Sequence, residues 1–297
     1  MIHDFSTASI VVLGSVNMDL ITTSERLPRP GETLLGLDFA TGPGGKGANQ
    51  AIAAAKAGGT VQFVGAVGSD DFGIRLRNAL LSGGVGVEGL RTVPGPSGIA
   101  AITVDAAAEN TIIVVAGANS GVTGLTAADI SAIGQAGLLV CQLEIPLEAV
   151  RAGVATAAAA GVPVLLNPSP VRELPAELLA GVTVLVVNQG EAEALGAGAL
   201  AQVPHVITTL GGAGADYRGP DTSFHVDAPT VEAVDTTGAG DAFTGALAVA
   251  WSGGVDARTA VHRACAAGAL ATTRPGASTS SPSAAQIDQL AGSSYLS

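Results

Sequence analysis

The chain has 297 residues, of which 47% are hydrophobic and only 3% aromatic, so it can bury a sizeable core packed mainly through small side chains. Its formal net charge of −12 argues against a general nucleic-acid binder, because non-specific affinity for phosphate backbones comes from clustered Lys and Arg. Residues 1–9 lack the pattern of a secretory leader, and no apolar run is long enough to span a membrane. Cys141 and Cys265 both lie in apolar sequence, as buried thiols do. We therefore expect a soluble cytoplasmic protein that binds neither nucleic acid nor membranes.

The first predicted element is a buried parallel strand over residues 10–13, an apolar run ended by Gly14. Asn17 and Asp19 follow it at positions i and i+2, which share one side of an extended segment. Two polar side chains on one side are suited to holding sugar hydroxyls. A turn formed by the Asn/Asp pair is the alternative.

Two segments do not follow an alternation of strands and helices. Residues 20–39 are irregular, with Pro28, Pro30 and Gly31, and end in what resembles a short strand pair, while residues 98–115 alternate weakly. We assign these segments, roughly 20–40 and 97–116, to a small β-sheet lid beside the main sheet.

The glycine-rich stretch Gly42-Pro43-Gly44-Gly45-Lys46-Gly47 opens a helix predicted to end at Lys56. It matches G-x-G-x-x-G, but no buried strand directly precedes it, as a dinucleotide-binding fingerprint requires. Nor is it a phosphate-binding P-loop, since glycine rather than Ser or Thr follows Lys46. A glycine-lined helix start with Lys46 and Asn49 would admit a polyol close to the backbone. A glycine-rich loop that merely enters a helix is the alternative.

From residue 60 onward, short apolar strands alternate with helices, which predicts an α/β fold with a central, mostly parallel sheet flanked by helices. The strands are predicted at 60–67, 138–143, 162–166, 182–187 and 205–210, and the helices at 71–81 and 147–160. Ligands bind at the carboxyl edge of such a sheet, and polar residues collect where its strands end. Each of them taken alone would be a solvated turn residue, and they are Glu144, Asn167, Asn188 and Glu191.

Near the C-terminal end, the stretch from Asp235 to Asp241 leads through Gly238-Ala239-Gly240 into a predicted helix. The first N–H groups of a helix have no intrahelical partner and carry the positive end of its dipole, which suits a phosphoryl group. A carboxylate there would repel an incoming phosphate, so we interpret Asp241 as the proton acceptor beside the transferred group. The alternative is that Asp241 only caps the helix.

Six motifs, taken in order and with their spacing, make nearly the whole chain resemble the ribokinase-like (PfkB) sugar kinases. They are Gly14-Ser15-Val16-Asn17-Met18-Asp19, Gly44-Gly45-Lys46-Gly47-Ala48-Asn49-Gln50, Gln142-Leu143-Glu144, Asn188-Gln189-Gly190-Glu191, Thr209-Leu210-Gly211 and Asp235 to Asp241. The resemblance implies one ribokinase-like domain over residues 1–297 that phosphorylates the primary hydroxyl of a pentose with ATP and Mg²⁺. D-ribose is the expected sugar.

The same resemblance implies roles for individual residues. Asp241 would be the base, and the anion hole would be formed by Gly238, Ala239 and Gly240. The sugar would be held by Asn17, Asp19, Gly45, Lys46, Asn49, Glu144 and Asp241. Asn188 and Glu191 fit an N-x-x-E motif associated with Mg²⁺ and phosphate placement. The ATP site would also include Thr209, Leu210, Gly211, Gly212, Ala213, Gly214, Gly240 and Cys265.

Two of these positions depart from the family pattern. Relatives often carry a basic residue where this chain has Ala213, and some place a histidine near the adenine where this chain has Cys265. Neither position belongs to the residues expected to transfer the phosphoryl group.

The loop over residues 271–280 offers many carbonyl and hydroxyl oxygens, which suit a weakly hydrated monovalent cation better than Mg²⁺. By resemblance to the family, K⁺ would be bound there, largely through backbone carbonyls, by Asp235, Thr237, Ala271, Arg274, Gly276 and Ser280. A solvated C-terminal loop is the alternative. The lid, with one open apolar face, predicts a symmetric homodimer built lid to lid, as the resemblance also implies.

Two other functions are weighed against a pentose kinase. A kinase for another sugar or a nucleoside, similar to fructokinase or adenosine kinase, is disfavoured in its nucleoside form because few aromatic residues are available to stack on a base. A non-catalytic sugar-binding relative is disfavoured because binding alone would not need a base at Asp241.

Overall fold

A computed structural model describes residues 8–107 and 109–294, and residues 1–7, which bear on the expected absence of a leader, lie outside that part. Its strands are β1 (Ser9–Leu13), β2 (Asn17–Thr23), β3 (Asp38–Gly44), β4 (Thr60–Gly68), β5 (Val85–Val93), β6 (Gly98–Val104), β7 (Asn110–Val115), β8 (Leu138–Cys141), β9 (Val164–Leu166), β10 (Val184–Asn188), β11 (His205–Thr209), β12 (Ala215–Arg218) and β13 (Ser223–Val226). Its α-helices are α1 (Lys46–Lys56), α2 (Asp71–Ser82), α3 (Ala127–Gly134), α4 (Leu147–Ala159), α5 (Ala176–Leu179), α6 (Gln189–Leu200), α7 (Ala239–Ser252), α8 (Ala257–Ala271) and α9 (Ala284–Ser294). None of the helices in this part of the chain is long and apolar enough to cross a membrane.

The main sheet has nine strands in the order β13-β12-β11-β10-β9-β8-β1-β4-β5. The strands from β11 to β5 pair in parallel, while β12 and β13 add an antiparallel hairpin at one edge. The predicted α/β fold with a mostly parallel sheet is therefore confirmed. The hairpin and β5 were not anticipated from the sequence.

The apolar run of β1 is buried on both faces because helices cover both sides of the sheet. Ile10 and Val12 pack in one core cluster, which also contains residues of α1, α2, α7 and α8. Val11 and Leu13 point the other way, into a second cluster with residues of α3, α4 and α5. The alternation of side chains along the strand thus joins two cores through one sheet.

The lid is a separate four-stranded sheet in the order β3-β2-β6-β7. Strands β2 and β6 run parallel, and β3 and β7 pair antiparallel on the outside. The prediction of a small β lid is confirmed, but its first segment starts earlier and ends later than predicted. Asn17 and Asp19 do not trail the first strand of the main sheet; they begin lid strand β2, because the chain leaves the main sheet after Leu13.

The glycine-rich stretch is likewise part of the lid. Strand β3 ends at Gly44, and α1 begins at Lys46 directly after it. The strand that precedes this helix is exposed or half-buried up to Pro43 and belongs to the small sheet, unlike the buried strand of a dinucleotide-binding unit. Strands β2 and β3 of the lid therefore contain, or lead directly into, residues that are predicted to bind the sugar.

Candidate active site

The carboxyl ends of β8, β9, β10 and β11 face the N-termini of α1 and α7. A cavity of about 590 Å³ lies at this edge, where the strand order places polar residues side by side. Of the predicted site residues, it is lined by Lys46, Asn188, Glu191, Thr209, Leu210, Gly211, Gly238, Gly240 and Asp241. The fold thus brings the predicted base, anion hole, N-x-x-E motif and part of the nucleotide segment to one opening.

Asp241 lies in the first turn of α7, but it does not cap the helix. The N-cap residue is Gly238, so the alternative of a purely capping Asp241 is wrong. The Asp241 carboxylate instead accepts hydrogen bonds from Asn49 Nδ2 at 3.1 Å and from Gln50 Nε2 at 3.0 Å. Burial raises the pKa of Asp241, while the charge of Lys46 and the two amide hydrogen bonds act in the opposite direction.

The turn before Asp241 is shaped by Gly238, which has φ +75°. A Cβ on this residue would lie 2.7 Å from the Cα of Ala277, so only glycine fits here. The conformation leaves the first N–H groups of α7 at the cavity, where they can donate to an anion. Gly240 also lines the cavity, and a Cβ built on it would meet nothing within 4 Å.

The predicted sugar residues surround Asp241 on the side of the lid. Glu144 Oε2 accepts hydrogen bonds from Ser15 Oγ and from the backbone N–H of Lys46 at 3.0 Å, which fixes the start of α1. The Lys46 charge lies at the positive end of its own helix dipole, a locally unfavourable position. The nearby carboxylates of Glu144 and Asp241 offset it.

Gly44 stands opposite Asn17 in the β2–β3 ladder, and a Cβ on Gly44 would collide with the Asp19 carboxylate. Asn17 is buried, and its Oδ1 accepts a hydrogen bond from Asn119 Nδ2 at 2.7 Å. Asn49 Oδ1 is buried without a hydrogen-bond partner among the described residues. The wall beside Asp241 therefore carries both carboxylate and amide oxygens.

Sequence reasoning missed the residues that support this wall. Ser15, Gln50 and Gln142 stand inside the recognised motifs without an assigned role, and Asn119 lies outside all of them. All four are buried. A buried polar residue is a usable signal only once burial is known, because the same residue types are common on surfaces.

Asn188 and Glu191 form a reciprocal capping box at the start of α6. Asn188 Oδ1 accepts from the N–H of Glu191 at 2.8 Å, and Glu191 Oε2 accepts from the N–H of Asn188 at 3.0 Å. The N-x-x-E spacing thus has a structural role in addition to any ligand role. Both residues still line the cavity.

A second cavity of about 390 Å³ adjoins the first, since Thr209, Gly211 and Gly240 line both. Its walls are mainly apolar and include Cys265 and Phe243. Gly212 and Gly214 also line it, whereas Ala213 lines neither cavity. The two connected spaces are suited to a ligand with one polar and one flat apolar part.

The loop predicted to bind a cation folds back onto Asp235. The Asp235 carboxylate accepts from the N–H of Thr237 at 2.9 Å and of Gly276 at 2.8 Å. Burial raises the pKa of Asp235, but these hydrogen bonds outweigh it and lower the pKa below its usual value. Lys56 Nζ donates to the carbonyl oxygens of Ser278 and Thr279, at 2.9 and 3.3 Å.

Of the other predicted cation ligands, Ala271 is the last residue of α8 and is buried. Arg274 and Ser280 lie along the loop, where Arg274 is exposed and Ser280 is buried. Within the described ranges, no group of three or more His, Cys, Asp and Glu side chains is arranged to hold a metal.

Comparison with known proteins identifies the family. The model of the pfkB family carbohydrate kinases matches residues 7–284. The chain belongs to this family. A ribokinase of Bacillus subtilis (strain 168) is 37% identical to this pfkB carbohydrate kinase, over 95% of this chain and 99% of the relative. A deoxyribokinase of Salmonella typhimurium is 36% identical, over 94% of this chain and 97% of the relative.

Among solved structures, an Arabidopsis thaliana ribokinase complexed with ribose and ATP is similar to this pfkB carbohydrate kinase, with a TM-score of 0.90. The sequences are 32% identical, and the match covers 96% of this chain and 99% of that chain. The predicted ribokinase-like fold and the sugar-kinase class are thereby confirmed.

Three carboxylates meet in the site of this pfkB carbohydrate kinase. Burial, together with the negative charges of Glu144 and Asp241, raises the pKa of Asp19 from 3.8 to about 7. Between these values, the folded protein holds a proton on Asp19 that the unfolded chain has lost. The free energy of unfolding therefore falls as the pH rises through this window.

We expect Asp19→Asn to stabilise the ligand-free protein above pH 7, because the amide removes one half-buried negative charge. The gain over wild type should grow between pH 3.8 and about 7 and then level off. Its upper limit is about 1.4 kcal/mol for each pH unit crossed. Urea denaturation from pH 5 to pH 8 measures it, with Glu193→Gln, an exposed carboxylate of α6, as the matched control. A gain independent of pH would contradict the carboxylate cluster.

Proposed function

We propose that this protein transfers the γ-phosphoryl group of ATP to the primary hydroxyl of D-ribose, giving ribose 5-phosphate and ADP. The observation that carries the proposal is the position of Asp241. Its carboxylate lies at the N-terminus of α7, between the lid-side wall of polar oxygens and the cavity that leads to the apolar pocket. A base at this junction can reach both a sugar hydroxyl and the phosphoryl group that it attacks.

In the proposed reaction, the ribose hydroxyl oxygen attacks the γ-phosphorus while the bond to the β,γ-bridging oxygen breaks. Asp241 takes the hydroxyl proton, and ADP leaves with the bridging oxygen. N–H groups of the α7 start, next to Gly238 and Gly240, donate to the transferring group. Lys46 lines the same cavity and adds a positive charge. Mg²⁺ would neutralise phosphate charge when bound, with Glu191 and Asn188 nearby to orient its shell.

The nucleotide would occupy both cavities. Its phosphates fit the larger space beside Gly238 and Gly240, and its base fits the apolar space between Cys265 and Phe243. Thr209 and Gly211 line both spaces and would flank the junction. Without a basic side chain at position 213, binding of the phosphates would rest on backbone amides and Lys46.

A sugar is favoured over a nucleoside as the acceptor because the wall beside Asp241 offers several hydrogen-bonding side chains. Asn17, Asp19, Asn49 and Glu144 supply amide and carboxylate groups that match the hydroxyls of a pentose. The similarity to a deoxyribokinase makes 2-deoxyribose the second candidate. The two sugars differ by one hydroxyl, so discrimination depends on how many of these groups are left unpaired.

A coupled ADP-release assay across ribose, 2-deoxyribose, fructose and adenosine tests the proposal, and we expect the highest kcat/KM with ribose. Asp241→Asn removes the base but keeps the shape, so kcat should fall about 10²- to 10⁴-fold. The melting temperature should hold, because Gly238, not Asp241, is the N-cap. Near-normal kcat with normal melting would exclude Asp241 as the base, and a preference for adenosine would overturn the substrate.

We propose K⁺ as an activator bound by the loop that contains Asp235 and Gly276. The donor set supports this, because backbone carbonyls and one carboxylate suit a weakly hydrated monovalent ion. The carbonyls of Ser278 and Thr279 already accept from Lys56, so the ion would use the carbonyls of Ala271, Arg274 and other loop residues. Ala277 packs against Gly238, so ordering this loop would also order the anion hole.

We expect the rate in K⁺ to exceed that in Na⁺ or Li⁺ at matched ionic strength, mainly through kcat. The reason is that Ala277 of the loop packs against Gly238, in the turn that leads to the proposed base. Asp235→Ala should abolish the difference between the salts. Thermal melting in each salt gives a second readout, since an ion that binds only the folded state raises Tm. Equal rates and equal Tm in all three salts would rule out the site.

We also propose that two copies form a homodimer through their lids. The lid exposes a set of large apolar side chains that is unusual for a protein surface. Strand β7 is exposed along its whole length and lies at the edge of the sheet. The exposed side chains are Leu35, Leu37, Phe39, Ile112, Ile113, Val114 and Val115.

The test is sedimentation at micromolar concentration, where the wild type should be a dimer. Ile113→Glu places a charge in the proposed interface and should give a monomer. Ile74→Glu is the matched control, because Ile74 is exposed to a similar degree on α2, outside the lid. A monomeric wild type, or a dimer unaffected by Ile113→Glu, would contradict the lid interface.

A cytoplasmic location is proposed from the cysteines. Cys141 and Cys265 are free and buried. Burial raises the pKa of both thiols to about 12, so they remain protonated and unreactive. Such thiols are typical of structural cysteines in a reducing compartment.

A further inference from the structure

The buried side-chain amides of Gln142, Gln50 and Asn167 form a hydrogen-bonded group, the amide network, that ends on the Asp241 carboxylate. Gln142 Nε2 donates to Gln50 Oε1 at 2.6 Å, and Gln50 Nε2 donates to Asp241 Oδ1 at 3.0 Å. Gln50 Nε2 also donates to Asn167 Oδ1 at 3.0 Å. The side chains of Gln50 and Gln142 are 0% exposed. These residues come from α1 and from the ends of β8 and β9, so the amide network exists only in the folded protein.

The direction of every hydrogen bond in the amide network is fixed by a backbone carbonyl. The oxygen of Val186 can only accept, so Asn167 turns its Nδ2 toward it, at 3.0 Å. Asn167 Oδ1 then faces Gln50 as an acceptor, which requires the Gln50 amide to present its NH₂ group. The second hydrogen of that NH₂ group points at Asp241. Gln50 is thereby set as a donor to the carboxylate.

Stability of the fold alone does not account for the amide network. Gln142 Oε1 is buried and has no hydrogen-bond partner among the described residues, which costs free energy. Replacing buried polar partners by apolar side chains of similar shape can be neutral or stabilising. A buried amide pair with an unsatisfied acceptor is more simply explained by what it does to the group at its end.

We propose that Gln50 is a positioning residue that, held by Gln142 and Asn167, orients the Asp241 carboxylate toward the reacting hydroxyl. Asn49 holds Oδ2 and Gln50 holds Oδ1, so the plane of the carboxylate is fixed from both sides. The remaining lone pairs are left for the incoming proton. The donor also favours the charged form of Asp241, which is the form that can act as a base. This inference rests on the proposed role of Asp241.

The test is the pH dependence of kcat at saturating ribose and ATP. Asp241 is also faced by Lys46 on α1, by Glu144 after β8 and by Asp19 on β2, and saturating ribose minimises effects of their titration on sugar binding. Gln50→Met keeps the length of the side chain and removes the donor. We expect kcat at pH 7 to fall at least tenfold, its acid limb to move to higher pH, and part of the loss to be recovered at pH 9. The KM for ATP should stay within about twofold.

Gln142→Met leaves the contact between Gln50 and Asp241 in place but removes the donor that holds Gln50. It should shift the acid limb in the same direction by a smaller amount. Each single change leaves the other glutamine without its hydrogen-bond partner in the Gln142–Gln50 contact. The double variant with Gln50→Met and Gln142→Met removes both of these amide groups. Its melting temperature should exceed that of Gln50→Met, while its kcat should stay low. Recovery of kcat together with stability would show that the amides are only structural and would overturn the proposal.

Asn119→Leu is the matched control, since Asn119 is a buried amide that contacts Asn17 and not Asp241. It should raise the KM for ribose and leave the acid limb of kcat in place. An unchanged acid limb in Gln50→Met, with Asp241→Asn inactive, would reject the role of Gln50 and keep Asp241 as the base. An active Asp241→Asn would instead reject the proposed base itself.

Discussion

A carboxylate held at the N-terminus of a buried helix is the constraint on which the rest of the site depends. Asp241 loses hydration in this position, and burial raises its pKa. The dipole of α7, the charge of Lys46 and the amides of Asn49 and Gln50 all act to retain the anion. Lys46, Asn49 and Gln50 are all on α1. The packing of α1 against α7 therefore decides both where the carboxylate lies and whether it is charged.

The same helix ties the lid to the main sheet. Strand β3 runs directly into α1, and Glu144 binds the first N–H of that helix from the carboxyl end of the sheet. Asp19, on β2, adds a further carboxylate close to Glu144 and Asp241. Mutual repulsion of these charges is unfavourable in the free protein. A bound sugar that donates hydroxyl hydrogen bonds to them would relieve part of it, which couples substrate binding to the stability of the site.

At the other end of α1, Lys56 donates to carbonyls of the loop that also contacts Gly238. One helix thus contacts Glu144, the proposed base Asp241 and the loop proposed to bind a cation. A cation held by the carbonyls of this loop would place a positive charge near the turn at Gly238, which is proposed to form the anion hole. If the proposed cation site is correct, α1 links it to the residues around Asp241.

The sequence by itself determined the fold class and most of the candidate site. Alternating apolar strands and helices indicate a parallel sheet, and Gly-Ala-Gly-Asp before a helix indicates an anion site, because both follow from local periodicity and backbone geometry. Tertiary structure alone decided the start of the lid at Asn17, since the same polar pair fits a strand end or a new strand. It also decided that Asp241 is not a cap, whereas the reciprocal cap of Asn188 and Glu191 has a local signature in its N-x-x-E spacing.

The roles of Gln50, Gln142 and Asn119 were also out of reach of the sequence. A glutamine in a helix is normally a surface residue, and α1 is buried on nearly all sides only because α7, the lid and the sheet surround it. Local patterns thus specified which residue types meet at the edge of the sheet. The direction of each hydrogen bond among them depends on the fixed carbonyl of Val186 in a neighbouring strand, and such a contact between distant segments has no local signature in the chain.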